Sequence, residues 1–372
     1  MQYDVLVVGA GVVGCAAAME LGKYSLRAAV IEAGEDVCTG TSKANSAIVH
    51  AGFDARPGSL MARFNVEGSH AMPKLCERLQ IPFRRCGALV LCFNEADRPG
   101  LEELLFRGVK NGVHGLRIVE REELHELEPN VSPEAVAALY APTSGIVCPF
   151  ELTCAMAENA VRNGVEFFFD TRVENIAREG GLWKLETAKG SFEAPVVINA
   201  AGLHSAELNN MVSDKKITIT PRKGEYMLLD KKVGGMLSRT VFQLPTKMGK
   251  GVLVTPTVHG NLLMGPTAVD VEDPEATNTT AAGLESVMQR ARKSVPSLPG
   301  NRTITSFAGL RAHVEKDEHD FIIGEAEGAP GFLNAVGIES PGLSAAPAIG
   351  AFLAESAAYL VSAPANKKYD ST

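Results

Sequence analysis

The sequence predicts an α/β fold, α+β overall, in which a parallel sheet is joined to an antiparallel, β-rich layer. Three observations carry this. The chain opens on a short apolar run, Val5 to Val8, then a glycine-rich turn, a helical pattern and a second apolar run, Ala28 to Ile31. Uninterrupted apolar runs of this length, set between turns and helices, are the mark of strands buried on both faces. A similar strand–turn–helix unit closes the chain, with Phe332 to Val336 as its strand and a helix from about Ser344. Between them, about Ile217 to Ser306 holds short β-rich runs separated by Gly and Pro, the pattern of an antiparallel sheet.

The first turn reads Gly9-x-Gly11-Val12-Val13-Gly14. In such a turn the first glycine permits the tight bend and the second lets the backbone approach a pyrophosphate. The third lets helix and strand pack closely. The helix that follows, expected over Ala16 to Leu21, turns unpaired N–H groups and its positive dipole end toward the phosphates. Glu32, followed by Ala33, ends the second strand eighteen residues beyond Gly14 (32 − 14), where a carboxylate receives ribose hydroxyls. The unit therefore predicts a dinucleotide cofactor. The C-terminal turn, Pro341-Gly342-Leu343-Ser344, points to FAD rather than NAD. It supplies a second helix N-terminus, and a reduced flavin ring needs one because negative charge gathers around its N1 and O2. With no second GxGxxG for NAD(P), electrons are expected to leave the flavin by another route.

Composition narrows the function classes. A chain of 372 residues suggests two domains. Its net charge of −8 disfavours a nucleic-acid footprint, which needs clustered positive charge, while leaving room for a local basic pocket. The apolar stretch from Val5 to Met19 is broken by glycines and is shorter than the about 20 residues of a bilayer crossing. No basic segment precedes it, so no signal peptide is expected. The seven cysteines form no CxxC pair. That pattern lacks the spacing of a zinc or iron–sulfur motif and suggests reduced thiols in a cytoplasmic protein. Peripheral contact with the inner face of a membrane stays open.

Behind the first unit, "TSKANSAIVHAGF" (Thr41 to Phe53) is unusually poor in charge. It presents hydroxyls and an amide, with one histidine at its edge. Further on, "FEAPVVINAAGLHSAEL" holds a strand, Val196 to Ile198, that ends in Ala200-Ala201-Gly202, and "FFFDTRVENI" supplies another strand containing Val173. A first insertion, about Leu75 to Gly145, contains "ALVLCF", read as an alternating strand, and a helix with Leu101, Leu104, Leu105 and Val109 on one stripe. No internal repeat is present, and the tail "SAPANKKYDST" reads as disordered.

Taken in order with "GKGVLVTPT", "GPTAVD", "SFAGLRA" and "ESPGLSAAPAIG", these segments resemble FAD-dependent glycerol-3-phosphate dehydrogenases and oxidases of the D-amino-acid oxidase superfamily. L-2-hydroxyglutarate oxidases are near relatives. The resemblance implies a glutathione-reductase-type, Rossmann-like FAD domain built from residues 1–74, 146–216 and 307–372. Residues 75–145 and 217–306 would form an antiparallel substrate domain. It also implies that Thr41, Ser42, Asn45 and Ser46 run along the pyrophosphate and the flavin ring. Val173 would meet the adenine end, with Ala201, Gly202 and Gly309 in close approach to the cofactor. His50 falls where the base stands, and Lys250 and Arg311 where a substrate anion is held, with "RKGEYM" (Arg222 to Met227) a weaker part of the wall. The other histidines, His204 and His313 among them, read as surface or packing residues. The expected reaction is oxidation of sn-glycerol 3-phosphate to dihydroxyacetone phosphate. The alternatives are a 2-hydroxy acid such as L-2-hydroxyglutarate, an amine or amino acid, or a flavin-bearing subunit without a substrate of its own. Oxygen, a quinone or a partner protein would accept the electrons.

Overall fold

Val5–Val8 is central in a six-stranded sheet, as its complete burial demands. The computed structural model describes residues 1–244, 251–314 and 320–372. Across that sheet the order is Ile322–Ala326, Ala329–Val336, Val196–Asn199, Val5–Val8, Ala28–Ile31 and Glu166–Phe168. All neighbours run parallel except the first pair. The chain moves outward from Val5–Val8 in both directions, which opens a crevice beyond the carboxyl ends of Val5–Val8 and Val196–Asn199.

The helix Val12–Leu21 begins four residues before the expected Ala16, directly after the glycine turn. It packs against Gly342–Leu360 so closely that a Cβ on Gly350 would lie 2.6 Å from the Ala16 backbone. Gly342–Leu360 is 19 residues long and apolar enough to span a membrane by length and composition, yet Ile349, Leu353 and most of its alanines are core. It is gripped by Val12–Leu21 and by Leu60–Arg78.

The large sheet has nine strands and is mixed rather than purely antiparallel. Thr240–Gln243 pairs in parallel with Ala88–Cys92, so the two insertions form one layer. The strand Thr303–Val314 runs across the boundary expected at 306/307 and pairs along its length with Ile219–Leu229. Ala88–Cys92 does not alternate: all five residues are buried. Leu89 and Leu91 enter one cluster with Val287 and Ala291, while Ala88, Val90 and Cys92 enter another with Leu101 and Leu104. Both faces of this strand are therefore covered.

Three further expectations are corrected. Val109 is 61% exposed, because the buried stripe of Arg98–Lys110 runs through Leu101, Leu104 and Gly108 and leaves Val109 one position too far around. "FFFDTRVENI" is two strands, Glu166–Phe168 and Val173–Glu179, broken at Asp170, whose φ is +49°. The tail is ordered: Asn159 donates to the Asp370 and Thr372 carbonyls, and Asn366 N–H bonds the Lys23 carbonyl. The tail's backbone groups are paired with residues distant in sequence, partners that composition does not show. The seven cysteines are free, five of them buried. Burial pushes the Cys38 thiol up to about 11 and that of Cys76 to about 12, which disfavours their reactive thiolates.

Filling the helix contact should cost stability directly. Gly350→Val is expected to lower stability by about 1–3 kcal/mol, the usual penalty of overpacking, read as a lower urea midpoint with unchanged slope. An unchanged midpoint would show that the two helices can separate freely.

Candidate active site

Beyond the carboxyl ends of the central strands lies a cavity of about 1190 Å³. It extends from the glycine turn to the underside of the large sheet. Gly9 opens it with φ +104°, and a Cβ there would strike the Ala200 carbonyl at 2.5 Å. Gly14 does not line the cavity; a Cβ on it would fall 1.9 Å from the Gly9 carbonyl oxygen, so it seats the helix against the turn. Gly11, Val12 and Val13 line the wall at the helix N-terminus, where the Gly11 cap has no side-chain hydrogen bond. Glu32 and Ala33 stand beside them. The Glu32 carboxylate accepts the N–H groups of Ala10 at 2.6 Å and Gly34 at 2.7 Å, which holds it at the strand end.

The loop Thr41 to Ser46 forms the next stretch. Ser42 Oγ accepts the Val12 N–H at 2.9 Å, and Thr41 donates to the Leu310 carbonyl at 2.6 Å. The Asn45 amide folds back onto the loop, donating to the Ser42 carbonyl and accepting from the Ala47 N–H. Ser46 reaches toward the Tyr226 hydroxyl at 3.4 Å. Val173 lines the cavity at one end, and Ala201 and Gly202 line it opposite the glycine turn. Pro341, Gly342 and Leu343 close it from the C-terminal helix. Ser344 does not face the cavity; its buried hydroxyl accepts the His50 N–H at 2.7 Å and donates to the Ile48 carbonyl. That serine fixes the backbone that carries His50.

His50 is half-buried in the cavity wall, its ring centroid 5.7 Å from that of Phe242 and its Nε2 3.5 Å from Ser340 Oγ. Arg311 enters from the large sheet. Its strand places Arg311 directly opposite Arg222, which in turn lies opposite Asp270. Asp270 grips Arg222 with both oxygens, at 2.6 and 3.0 Å, and the guanidinium holds the Asp270 carboxyl below its ordinary value. The Arg311 guanidinium makes no hydrogen bond or ion pair among the described residues, and bends back over Gly224, whose ideal Cβ would be 3.4 Å from Nη2. Lys250 lies outside the described residues.

Period two along "RKGEYM" could have revealed more of this wall. Arg222, Gly224 and Tyr226 share one face, opposite Arg311, Gly309 and Phe307. Tyr226 stacks on Phe307 at 4.9 Å. His313, expected to be a packing residue, is bonded to Glu339 at 2.8 Å beside Arg222. His204 lines the cavity at its Ala201–Gly202 end. Glu339 and Ser340 gave no signal beyond their place in the C-terminal turn.

The chain's match to known proteins agrees with this geometry. The profile of the FAD dependent oxidoreductase family (DAO) matches residues 4–356. The chain belongs to that family. It is 50% identical over 352 residues to a glycerol 3-phosphate dehydrogenase of Caloramator mitchellensis, covering 95% of this chain and 73% of that protein. The solved structure of dithionite-reduced L-alpha-glycerophosphate oxidase from Mycoplasma pneumoniae, with FAD bound, superposes with a TM-score of 0.93 at 34% identity. That match covers 100% of this chain and 98% of the other. A mitochondrial L-2-hydroxyglutarate dehydrogenase of Arabidopsis thaliana is 29% identical, covering 95% of this chain and 83% of that one.

FAD is the cofactor, and the residues fit it. The helix end, where Gly11 supplies no side-chain cap, suits a pyrophosphate, the fixed Glu32 carboxylate retains lone pairs for ribose hydroxyls, and the low-charge loop suits an uncharged ring. Glu32→Ala should raise the FAD dissociation constant about 10- to 100-fold, equivalent to losing one charge-assisted hydrogen bond of about 1.5–3 kcal/mol. Titrating apoprotein with FAD by flavin fluorescence checks this; wild-type affinity would place the ribose elsewhere.

Proposed function

We propose that this enzyme oxidises sn-glycerol 3-phosphate to dihydroxyacetone phosphate. The observation that carries the reading is the Arg311 guanidinium, which has no ion pair among the described residues and lies in the same cavity as the His50 imidazole. A guanidinium half-buried in a cavity gains most from a forked contact with an anion, which an anionic substrate supplies. The similarity to glycerol 3-phosphate dehydrogenase and glycerophosphate oxidase supports phosphate as the anion.

Bound FAD supplies the acceptor for the hydride that leaves C2. The chain's own residues do the rest. Arg311 forks onto the phosphate, with Lys250 adding a second charge, and this orients the C2–H bond. His50 takes the hydroxyl proton at Nε2 and passes it to solvent; a neutral imidazole titrates in the right range for this work. Ser344 holds the His50 backbone, while Phe242 and Tyr226 limit water at the reacting carbon. The electrons then pass to oxygen, a quinone or a partner protein. We place the reaction in the cytoplasm, a reading supported by seven unpaired cysteines.

A single guanidinium also serves a carboxylate, so L-2-hydroxyglutarate is the second reading, and anaerobic flavin bleaching decides between them. Glycerol 3-phosphate should bleach the flavin faster than L-2-hydroxyglutarate. Arg311→Ala should impair both substrates, whereas Lys250→Ala should penalise the phosphate more. If hydroxyglutarate is the faster reductant and Lys250→Ala changes nothing, the 2-hydroxy acid is the substrate. His50→Gln should slow reduction about 10²–10⁴-fold with FAD still bound, the usual cost of losing a positioned base. Reduction at the parent rate would assign the base to another residue.

A further inference from the structure

Away from the cofactor cavity, two segments far apart in sequence bring a thiol, a carboxylate and an imidazole together. Cys148 is the N-cap of the helix Pro149–Arg162, and Glu151 stands in that helix's first turn. His259 comes from the large sheet, in the turn between Leu253–Pro256 and Leu262–Gly265. That turn is closed by hydrogen bonds from Gly260 N–H to the Thr257 carbonyl and from Thr257 N–H to the Asn261 carbonyl. His259 Nε2 lies 2.9 Å from Glu151 Oε1, and one ligand atom from each of the three residues falls within 4.8 Å of the other two. None of the three residues lines the cofactor cavity.

We propose that Cys148, Glu151 and His259 form a zinc(II) site. The donor set is of the kind zinc takes, one sulfur, one nitrogen and one oxygen, with water in a fourth position. Charge balances as well: a thiolate and a carboxylate neutralise the dication, and the imidazole binds as the neutral base. Ligands at zinc distances of about 2.0–2.3 Å in a tetrahedron sit about 3.3–3.8 Å apart, so the wider separations must close by up to about 1 Å while the His259–Glu151 pair opens slightly. Glu151 and His259 can provide that movement, since their side chains are 41% and 51% exposed. Cys148 is the fixed point, buried at 9% and held by the helix cap. Binding displaces the thiol proton to solvent and puts the metal between Nε2 and Oε1, so affinity should increase with pH. The ion would fasten the substrate sheet's turn to a helix of the cofactor layer. The sequence pattern hides such a site, because His259 is 108 residues beyond Glu151 (259 − 151).

The rival account is an ordinary exposed His–Glu pair beside a bystander thiol, which would contribute little. Untagged, chelator-stripped holoenzyme titrated with cobalt(II) separates the two. The expected result is one equivalent bound, with a thiolate-to-cobalt charge-transfer band in the difference spectrum against the oxidised flavin. Cys148→Ser should abolish the band, and both it and His259→Ala should weaken zinc binding at least tenfold in competition with a chromophoric chelator. Serine is itself a favoured helix N-cap, so this variant should fold, and its retained FAD reports that it has. Zinc should raise the melting temperature of the parent and not of Cys148→Ser. Absence of the band, or equal zinc affinity in parent and variants, overturns the proposal.

Discussion

The approach of the Thr41–Ser46 loop to both sheets is the constraint on which the rest of the site depends. At one end, Ser42 Oγ accepts the Val12 N–H and so joins the loop to the helix that opens the glycine turn. At the other, Thr41 donates to the Leu310 carbonyl, and the Ala44 carbonyl presses on the large sheet where a Cβ at Gly309 would leave only 2.0 Å. Any side chain at Gly309 would push the sheet off the loop. The sheet carries Arg311 two residues farther along, and the loop leads into the strand that carries His50. These contacts between loop and sheet thus help set the spacing between the cation and the imidazole.

This contact also explains the division of charge on the sheet. Along one face of the paired strands Ile219–Leu229 and Thr303–Val314 run an aromatic pair, a glycine pair and an arginine pair. Gly309 leaves room for the loop, and the Arg311 guanidinium bends into the space above Gly224. Arg222 cannot serve the same anion with the same ease, because Asp270 holds it by both prongs. Two equivalent-looking arginines therefore differ: Arg222 is neutralised by Asp270, while Arg311 has no ion pair among the described residues. His313 and Glu339 extend the neutralised side toward the C-terminal turn.

Much of the cofactor layer was legible because its residues are constrained by the backbone. The Val5–Val8 strand, the glycine turn, Glu32 and the Pro341–Leu343 turn all belong to short local motifs whose spacing is set by strand, turn and helix geometry. Their meeting at one cavity follows from the parallel order of the sheet. The large sheet was less legible. Ala88–Cys92 is covered on both faces by elements distant in sequence, so neither alternation nor its parallel pairing with Thr240–Gln243 is written in the local pattern. The tail misled for the same reason: its backbone bonds to groups that only the fold brings near.

Ser344 shows where motif reading reaches its limit in the site itself. The resemblance puts the Pro341–Ser344 turn against the cofactor, and three of its four residues do line the cavity. The fourth turns inward, and its hydroxyl is shared between the His50 N–H and the Ile48 carbonyl. A hydroxyl both accepts and donates, so this one atom ties the strand before His50 to the first turn of the C-terminal helix. That helix is itself locked to Val12–Leu21 through Gly350. His50 is therefore positioned by the same packed helix pair that presents the glycine turn, and any movement of the cofactor layer carries the imidazole with it. Arg311 rides on the other sheet, so the relative placement of the two groups is decided where the Ala44 carbonyl meets Gly309.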